Sequence, residues 1–151
     1  MAFRFDKFTI KAREAVQAAQ DLPGDACHQE IDGVHLLAAL LHQKDGVVPS
    51  LLGKLGADRA ALLQGIQDEL GKRPKVTGGQ HYLSPTLNAA FEKAWDEARR
   101  LKDEYVSSEH ILVALASDAA SPAGAILKRA GVTPDAVFQA LKDIRGGQRI
   151  T

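Results

Sequence analysis

The chain repeats itself, and that repeat limits what it can fold into more than any other feature. Displaced by 75 residues, the segment Phe8 to Gly71 lies over Leu83 to Gly146 without a gap. Thirteen of the 64 aligned positions are identical, where composition alone would leave roughly four or five. The identities include Ala15/Ala90, Ala19/Ala94, His35/His110, Leu37/Leu112, Leu40/Leu115, Leu52/Leu127 and Gly56/Gly131. Apolar exchanges such as Val16/Phe91, Ile31/Val106 and Ile66/Leu141 fill the pattern between them. A register that survives both helices and turns means one supersecondary unit built twice.

Within each copy the apolar spacing is helical and predicts four helices. Thr9 and Ser84 open the first helix as N-caps, and Pro85 takes the favoured first helical position. Leu22-Pro23-Gly24 marks its end in copy one, while copy two continues through Arg99-Arg100-Leu101. The second helix follows Asp32 or Ser107, and the run Leu36 to Leu41 is apolar nearly all round, which places it centrally. A short third helix carries Leu51, Leu52 and Leu55, or Ile126, Leu127 and Ala130, and stops at Gly56 or Gly131. The fourth starts near Asp58, and after Thr133-Pro134 in copy two. The expected fold is all-α, about eight helices as two tandem four-helix repeats related by a pseudo-twofold. Repeat one covers 8–71 and repeat two 83–146, with Lys72 to Tyr82 as a Pro/Gly/Lys linker between them. The domain is expected over 1–147, with 148–151 beginning a tether to a further part of a larger chain.

Composition removes several function classes. Nineteen basic and nineteen acidic residues balance, so no net field draws in nucleic acid or an anionic membrane. The lone cysteine, Cys27, excludes an internal disulfide and fits a reducing, cytoplasmic setting. The longest apolar runs are far too short to span a bilayer. No GxxxxGK[ST] phosphate loop occurs, so no nucleotide cofactor is expected in this chain.

Seven segments in order carry a family likeness: Asp6-Lys7-Phe8-Thr9, Glu30 to Leu37, Asp45 to Leu52, Arg73-Pro74-Lys75-Val76, Gly78-Gly79, Asp103 to His110, and Ile144 to Arg149. Together they resemble the N-terminal domain of the Clp/heat-shock unfoldase family, and most closely its ClpB-type disaggregase branch. The resemblance implies a non-catalytic, monomeric domain tethered to a hexameric ring of ATPase modules. Its partners would be unfolded or aggregated polypeptides, the parent ring, and co-chaperones or adaptors. ATP would then be a cofactor of the parent protein only. ClpC- and ClpA-type relatives use the same domain to dock adaptors, which is the alternative function.

Carried over position by position, the resemblance points to Thr9, Asp103 and Glu109 as polar site residues. Thr9 has a structural alternative as an N-cap, and Glu109 as a first-turn acid favoured by the helix dipole. The counterparts of Asp103 and Glu109 in copy one are His28 and Val34, so the acidic pair belongs to copy two alone. Promiscuous capture of unfolded chains needs apolar surface. Phe91 and Trp95, at i and i+4, are candidates to supply it: Trp95 replaces Gln20 of copy one but has burial against the linker as its alternative, and Phe91, aligned with Val16, has plain core. The family's groove is apolar near Glu97 and His110, where this chain is polar. His35 and His110 occupy matching places, which points to a shared structural hydrogen bond rather than a metal. Cys27-His28 with His35 and His42 fits no zinc spacing. Ser107-Ser108-Glu109-His110 lacks the Gly-flanked elbow of a hydrolase and reads as a helix start.

Overall fold

The computed structural model describes residues 5–26, 30–43, 46–73 and 82–145. A 3-10 turn (Phe5–Lys7) leads into α1 (Ile10–Ala26), β1 (Glu30–Ile31), α2 (Gly33–His42), α3 (Val47–Lys54) and α4 (Arg59–Gly71). Then come β2 (Tyr82–Leu83), α5 (Pro85–Arg100), α6 (Ser108–Ser117), α7 (Pro122–Arg129) and α8 (Pro134–Arg145). The starts of α5, α6, α7 and α8 at 85, 108, 122 and 134 are those of α1 to α4 at 10, 33, 47 and 59, each moved by 75. The all-α reading with two four-helix repeats holds.

The local chemistry explains the shared boundaries. Thr9 Oγ1 accepts from the Ala12 N–H at 3.2 Å, and Ser84 Oγ from the Leu87 N–H at 2.9 Å. Gly56 and Gly131 sit at φ +69° and +80°, where a side chain would be strained. Each lets the next residue's N–H turn back onto the end of its helix: Ala57 to the Leu52 carbonyl at 3.0 Å, Val132 to the Leu127 carbonyl at 2.9 Å. The first helix departs from expectation. It does not stop at Leu22-Pro23-Gly24 but continues to Ala26. The fixed φ of proline is helical, although inside a helix a proline removes one donor and crowds the carbonyl four residues back.

The two repeats are interlocked rather than stacked end to end. Ile31 of repeat one pairs with Leu83 of repeat two, in parallel. Adding 75 to one and subtracting it from the other gives Val106 and Phe8, which form the second parallel bridge. The bonds match as well: Ser84 N–H donates to the Ile31 carbonyl at 2.8 Å, and Thr9 N–H to the Val106 carbonyl at 2.9 Å. Each repeat therefore completes the backbone hydrogen bonding of the other. The sequence reading missed these strands because two-residue pairings leave no periodicity to find.

The centre of the fold is α2 and α6. Every α2 residue from Gly33 to Leu41 and every α6 residue from Ser108 to Ala116 is buried. Around them pack Phe8, Leu51, Leu62, Leu87, Phe91, Leu127 and Val137 in one continuous core. Small residues at Ala12, Ala15 and Ala19, and at Ala94 and Ala98, let α1 and α5 approach these central helices closely. No single described helix is long and apolar enough to cross a membrane.

Candidate docking site

The polar residues singled out in the sequence gather where the start of α1 meets the start of α6. Thr9 caps α1 and, through its own N–H, holds Val106. Asp103 is delivered by the turn that ends α5, in which its N–H returns to the Ala98 carbonyl at 2.8 Å. That turn forces Lys102 to φ +61°, a position where glycine is usual. Asp103 Oδ2 then lies 2.7 Å from His110 Nε2, with both side chains buried. His110 Nδ1 accepts from the Ser107 N–H at 2.8 Å, so its proton sits on Nε2 and is donated to Asp103. His35 repeats the first half of this device, its Nδ1 accepting from the Asp32 N–H at 2.9 Å. The shared histidine is a structural one, closing the first turn of each central helix.

Glu109 is in the first turn of α6 and only 6% exposed. Phe91 is fully buried and meets Phe8 edge to face, ring centroids 5.7 Å apart. It belongs to the core and, in this conformation, does not wall a surface groove; its alignment with core residue Val16 gives the reason. Trp95, one turn on, is half-buried at the margin of the core. Glu97, polar where the family groove is apolar, is buried and paired with Lys93 at 3.2 Å and Arg100 at 3.5 Å. Among the described residues, no three His, Cys, Asp or Glu side chains converge to hold a metal. Cys27 and His28 lie outside the described residues, as do most of the linker and the 146–151 end.

The open surface of repeat two lies elsewhere. A cavity of about 270 Å³ runs between α5, α6 and α7, lined by Ala89, Ala90, Ala114, Leu115, Pro122 and Ala123. Lys93 and Asp118 supply its exposed charges, and Thr86, Ser117 and Ser121 its hydroxyls. Two glycines shape it. A side chain at Gly33 would come within 3.1 Å of Leu115 Cδ2, and a Cβ at Gly124 would stand 1.8 Å from the Asp118 carbonyl oxygen. The start of α7 is thus pressed against the end of α6. A second groove of about 510 Å³, between α4 and α7, is more polar, with Gln64, Asp68, Lys72 and Arg129 on its walls.

One end of the smaller cavity is fixed by Asp32, which ties the repeats together. Its Oδ1 accepts from the Ser84 hydroxyl at 2.7 Å, and its Oδ2 from Arg73 at 2.8 Å. Arg73 also reaches Glu69 at 3.2 Å and Glu30 at 3.8 Å. Burial alone would raise the Asp32 carboxyl. The Ser84 hydroxyl, the Gly33 N–H and the Arg73 charge together outweigh it and hold the group below the ordinary carboxylate value. Sequence reasoning did not single out this cavity. Its signal was the stripe Thr86, Ala89, Ala90, Lys93 at helical spacing, which shows a face but not whether another helix covers it.

Two interlocked helical repeats around a shared core, with a shallow small-residue groove on one of them, define a class of repeat-built α-helical domains. The chain belongs to the family of Clp repeat (R) N-terminal domains, which it matches over residues 7–130 and again over 87–145. It is similar to the chaperone protein ClpB of Nitratidesulfovibrio vulgaris Hildenborough, with 43% identity over 96% of this chain but 18% of that protein. The chain therefore spans less than a fifth of the length of that relative. Its fold matches the Hsp104 N-terminal domain from Candida albicans with a TM-score of 0.82 and 25% identity, covering 95% of each chain. It also matches a ClpV N-domain solved in complex with a VipB peptide, with a TM-score of 0.75 and 17% identity, over 97% of this chain and 92% of that one.

Proposed function

We propose that the chain is the substrate-engaging N-terminal domain of an ATP-dependent protein disaggregase. It holds exposed apolar segments of unfolded or aggregated proteins weakly and passes them to an ATPase ring borne by the rest of the parent protein. The observation that carries this reading is the likeness to ClpB along nearly the whole chain, confined to 18% of that protein. The small-residue groove of repeat two supports it, since it offers apolar surface without a cluster of reactive groups. The domain itself performs no chemistry, and ATP belongs to the parent. Weak capture suffices, because tethering to a ring of several copies raises the effective concentration at each contact.

A titration of the ¹⁵N-labelled domain with a permanently unfolded protein tests this. Shifts clustering on the α5–α6–α7 groove, or on Trp95 and the Asp103–Glu109 segment, support capture. A spectrum unchanged at millimolar concentrations refutes it. The second reading is docking of a dedicated adaptor, as in ClpC- and ClpA-type unfoldases. It is favoured by the ClpV N-domain, which shares the fold and was solved with one defined peptide.

A further inference from the structure

We infer that the α5–α6–α7 groove of repeat two is a docking site for an extended polypeptide segment in which aliphatic side chains adjoin a lysine or arginine. The inference deepens the reading above and rests on it. It starts from a difference between the repeats. At the 75-residue offset, Lys11 corresponds to Thr86, Ala18 to Lys93, Gln43 to Asp118 and Gly46 to Ser121. In repeat one, the Gln43 amide Nε2 donates to the Lys11 carbonyl at 2.9 Å, bridging the end of α2 to the start of α1. The Gln43 Cβ lies 2.9 Å from where a Gly46 side chain would stand, so the glutamine occupies that corner. In repeat two the corresponding residue is Asp118, one methylene shorter. A carboxylate has no proton to give a carbonyl, so it cannot make the bridge. Asp118 lines the open cavity instead.

Charge then selects the occupant. Three charged residues line the cavity, two acids and one base: Asp32 is paired with Arg73 at 2.8 Å, and Lys93 shares Glu97, at 3.2 Å, with Arg100. Asp118 is exposed and has no ion-pair partner among the described residues. The residual charge of the groove is therefore acidic and complements a basic side chain. Size limits the rest. About 270 Å³ falls short of the roughly 300–1,000 Å³ of small-molecule sites, and suits side chains of a peptide better than a cofactor. Thr86 and Lys93 stand two turns apart on α5, about 10 Å, which is roughly three residues of extended chain. The alanines between them offer apolar surface for aliphatic side chains.

The test uses two fluorescein-labelled peptides, each with a central Leu-Leu pair, one flanked by lysine and the other by glutamate. Anisotropy titrations should show the lysine peptide binding about two- to five-fold more tightly, as expected of an exposed ion pair. Asp118→Asn should erase that preference without weakening the glutamate peptide. Ala89→Trp, at an exposed position that fills the groove, should weaken both peptides about ten-fold. Equal affinities in the wild type, or an Ala89→Trp variant with native circular dichroism that binds both as before, would overturn the proposal. If an unfolded protein still perturbs the spectrum of Ala89→Trp as it does the wild type, the groove assignment fails while capture stands. If the wild-type spectrum itself is silent, both fail.

Discussion

Replacing Asp32 by alanine tests whether the interlocked repeats are held by the polar clasp at their junction. Asp32 accepts two buried or half-buried bonds, from Ser84 at 2.7 Å and Arg73 at 2.8 Å. A hydrogen bond to a charged group contributes about 1.5–3 kcal/mol, so the gross loss is about 3–6. Two effects reduce it. Arg73 keeps Glu69 at 3.2 Å and Glu30 at 3.8 Å, so its guanidinium is not stranded, and the alanine site can admit water. The expected net cost is about 2–3 kcal/mol at pH 7. Urea unfolding followed by fluorescence of Trp95, the single tryptophan, measures it. Asp58→Ala is the control, since Asp58 is an exposed N-cap on Ala61 expected to be worth about 1 kcal/mol. The pH dependence has a definite sign. The Asp32 carboxyl is held below its unfolded value, so its contribution is full above about pH 4 and is lost as the pH falls through the lower, folded value. The gap between wild type and Asp32→Ala should therefore narrow as the pH falls below about 4. A cost no larger than that of Asp58→Ala, or a gap that does not narrow in acid, would refute the clasp.

Other substitutions probe separate parts of the fold. Gly124→Ala puts a methyl group 1.8 Å from the Asp118 carbonyl, against backbone that cannot swing aside; a loss of about 3 kcal/mol or more in thermal or urea unfolding is expected. Lys102→Gly should raise stability by up to about 1 kcal/mol by relieving the +61° φ, read as a higher urea midpoint. Phe91→Ala should cost about 3–5 kcal/mol through loss of core packing against Phe8, measured by the same unfolding curves. A repeat produced alone, as residues 1–73, should give the far-ultraviolet circular dichroism of an unfolded chain. Its Phe8 and Ile31 strand partners, Val106 and Leu83, would both be missing.

Most of the fold was legible because its determinants are local. A threonine or serine ahead of an alanine stripe, a glycine after a short apolar helix, and the six-residue apolar run Leu36 to Leu41 each announce themselves within a few residues. Their recurrence at one offset then announces the repeat. What was not legible depends on how the copies meet. The two parallel bridges join residues 52 and 98 positions apart, and each is too short to show alternation. The hydrogen bond expected of the equivalent histidines is present in both copies, since identical residues at equivalent positions serve what the copies share. Phe91, a groove-wall candidate with core packing as its alternative, is core; an aromatic four residues before Trp95 looks the same in sequence whether the stripe faces in or out.

The same logic separates scaffold from site. A residue that recurs at the offset is explained by the fold the copies have in common, as His35 and His110, Gly56 and Gly131, and the alanines of α1 and α5 are. A residue that breaks the repeat must be explained by something only one copy does. Asp103 breaks it and completes a buried bond to His110, so its difference is spent within the fold. Asp118 breaks it by replacing a glutamine that, in repeat one, bridges two helices, and its carboxylate lines the cavity of repeat two instead. What holds that corner in repeat two is backbone: the Asp118 carbonyl accepts from the Ser121 N–H at 3.0 Å and from the Ser121 hydroxyl at 2.7 Å. If a peptide enters the cavity as proposed, Asp118 is where repeat two departs from scaffold, and Asp118→Asn separates that reading from a surface exchange without consequence.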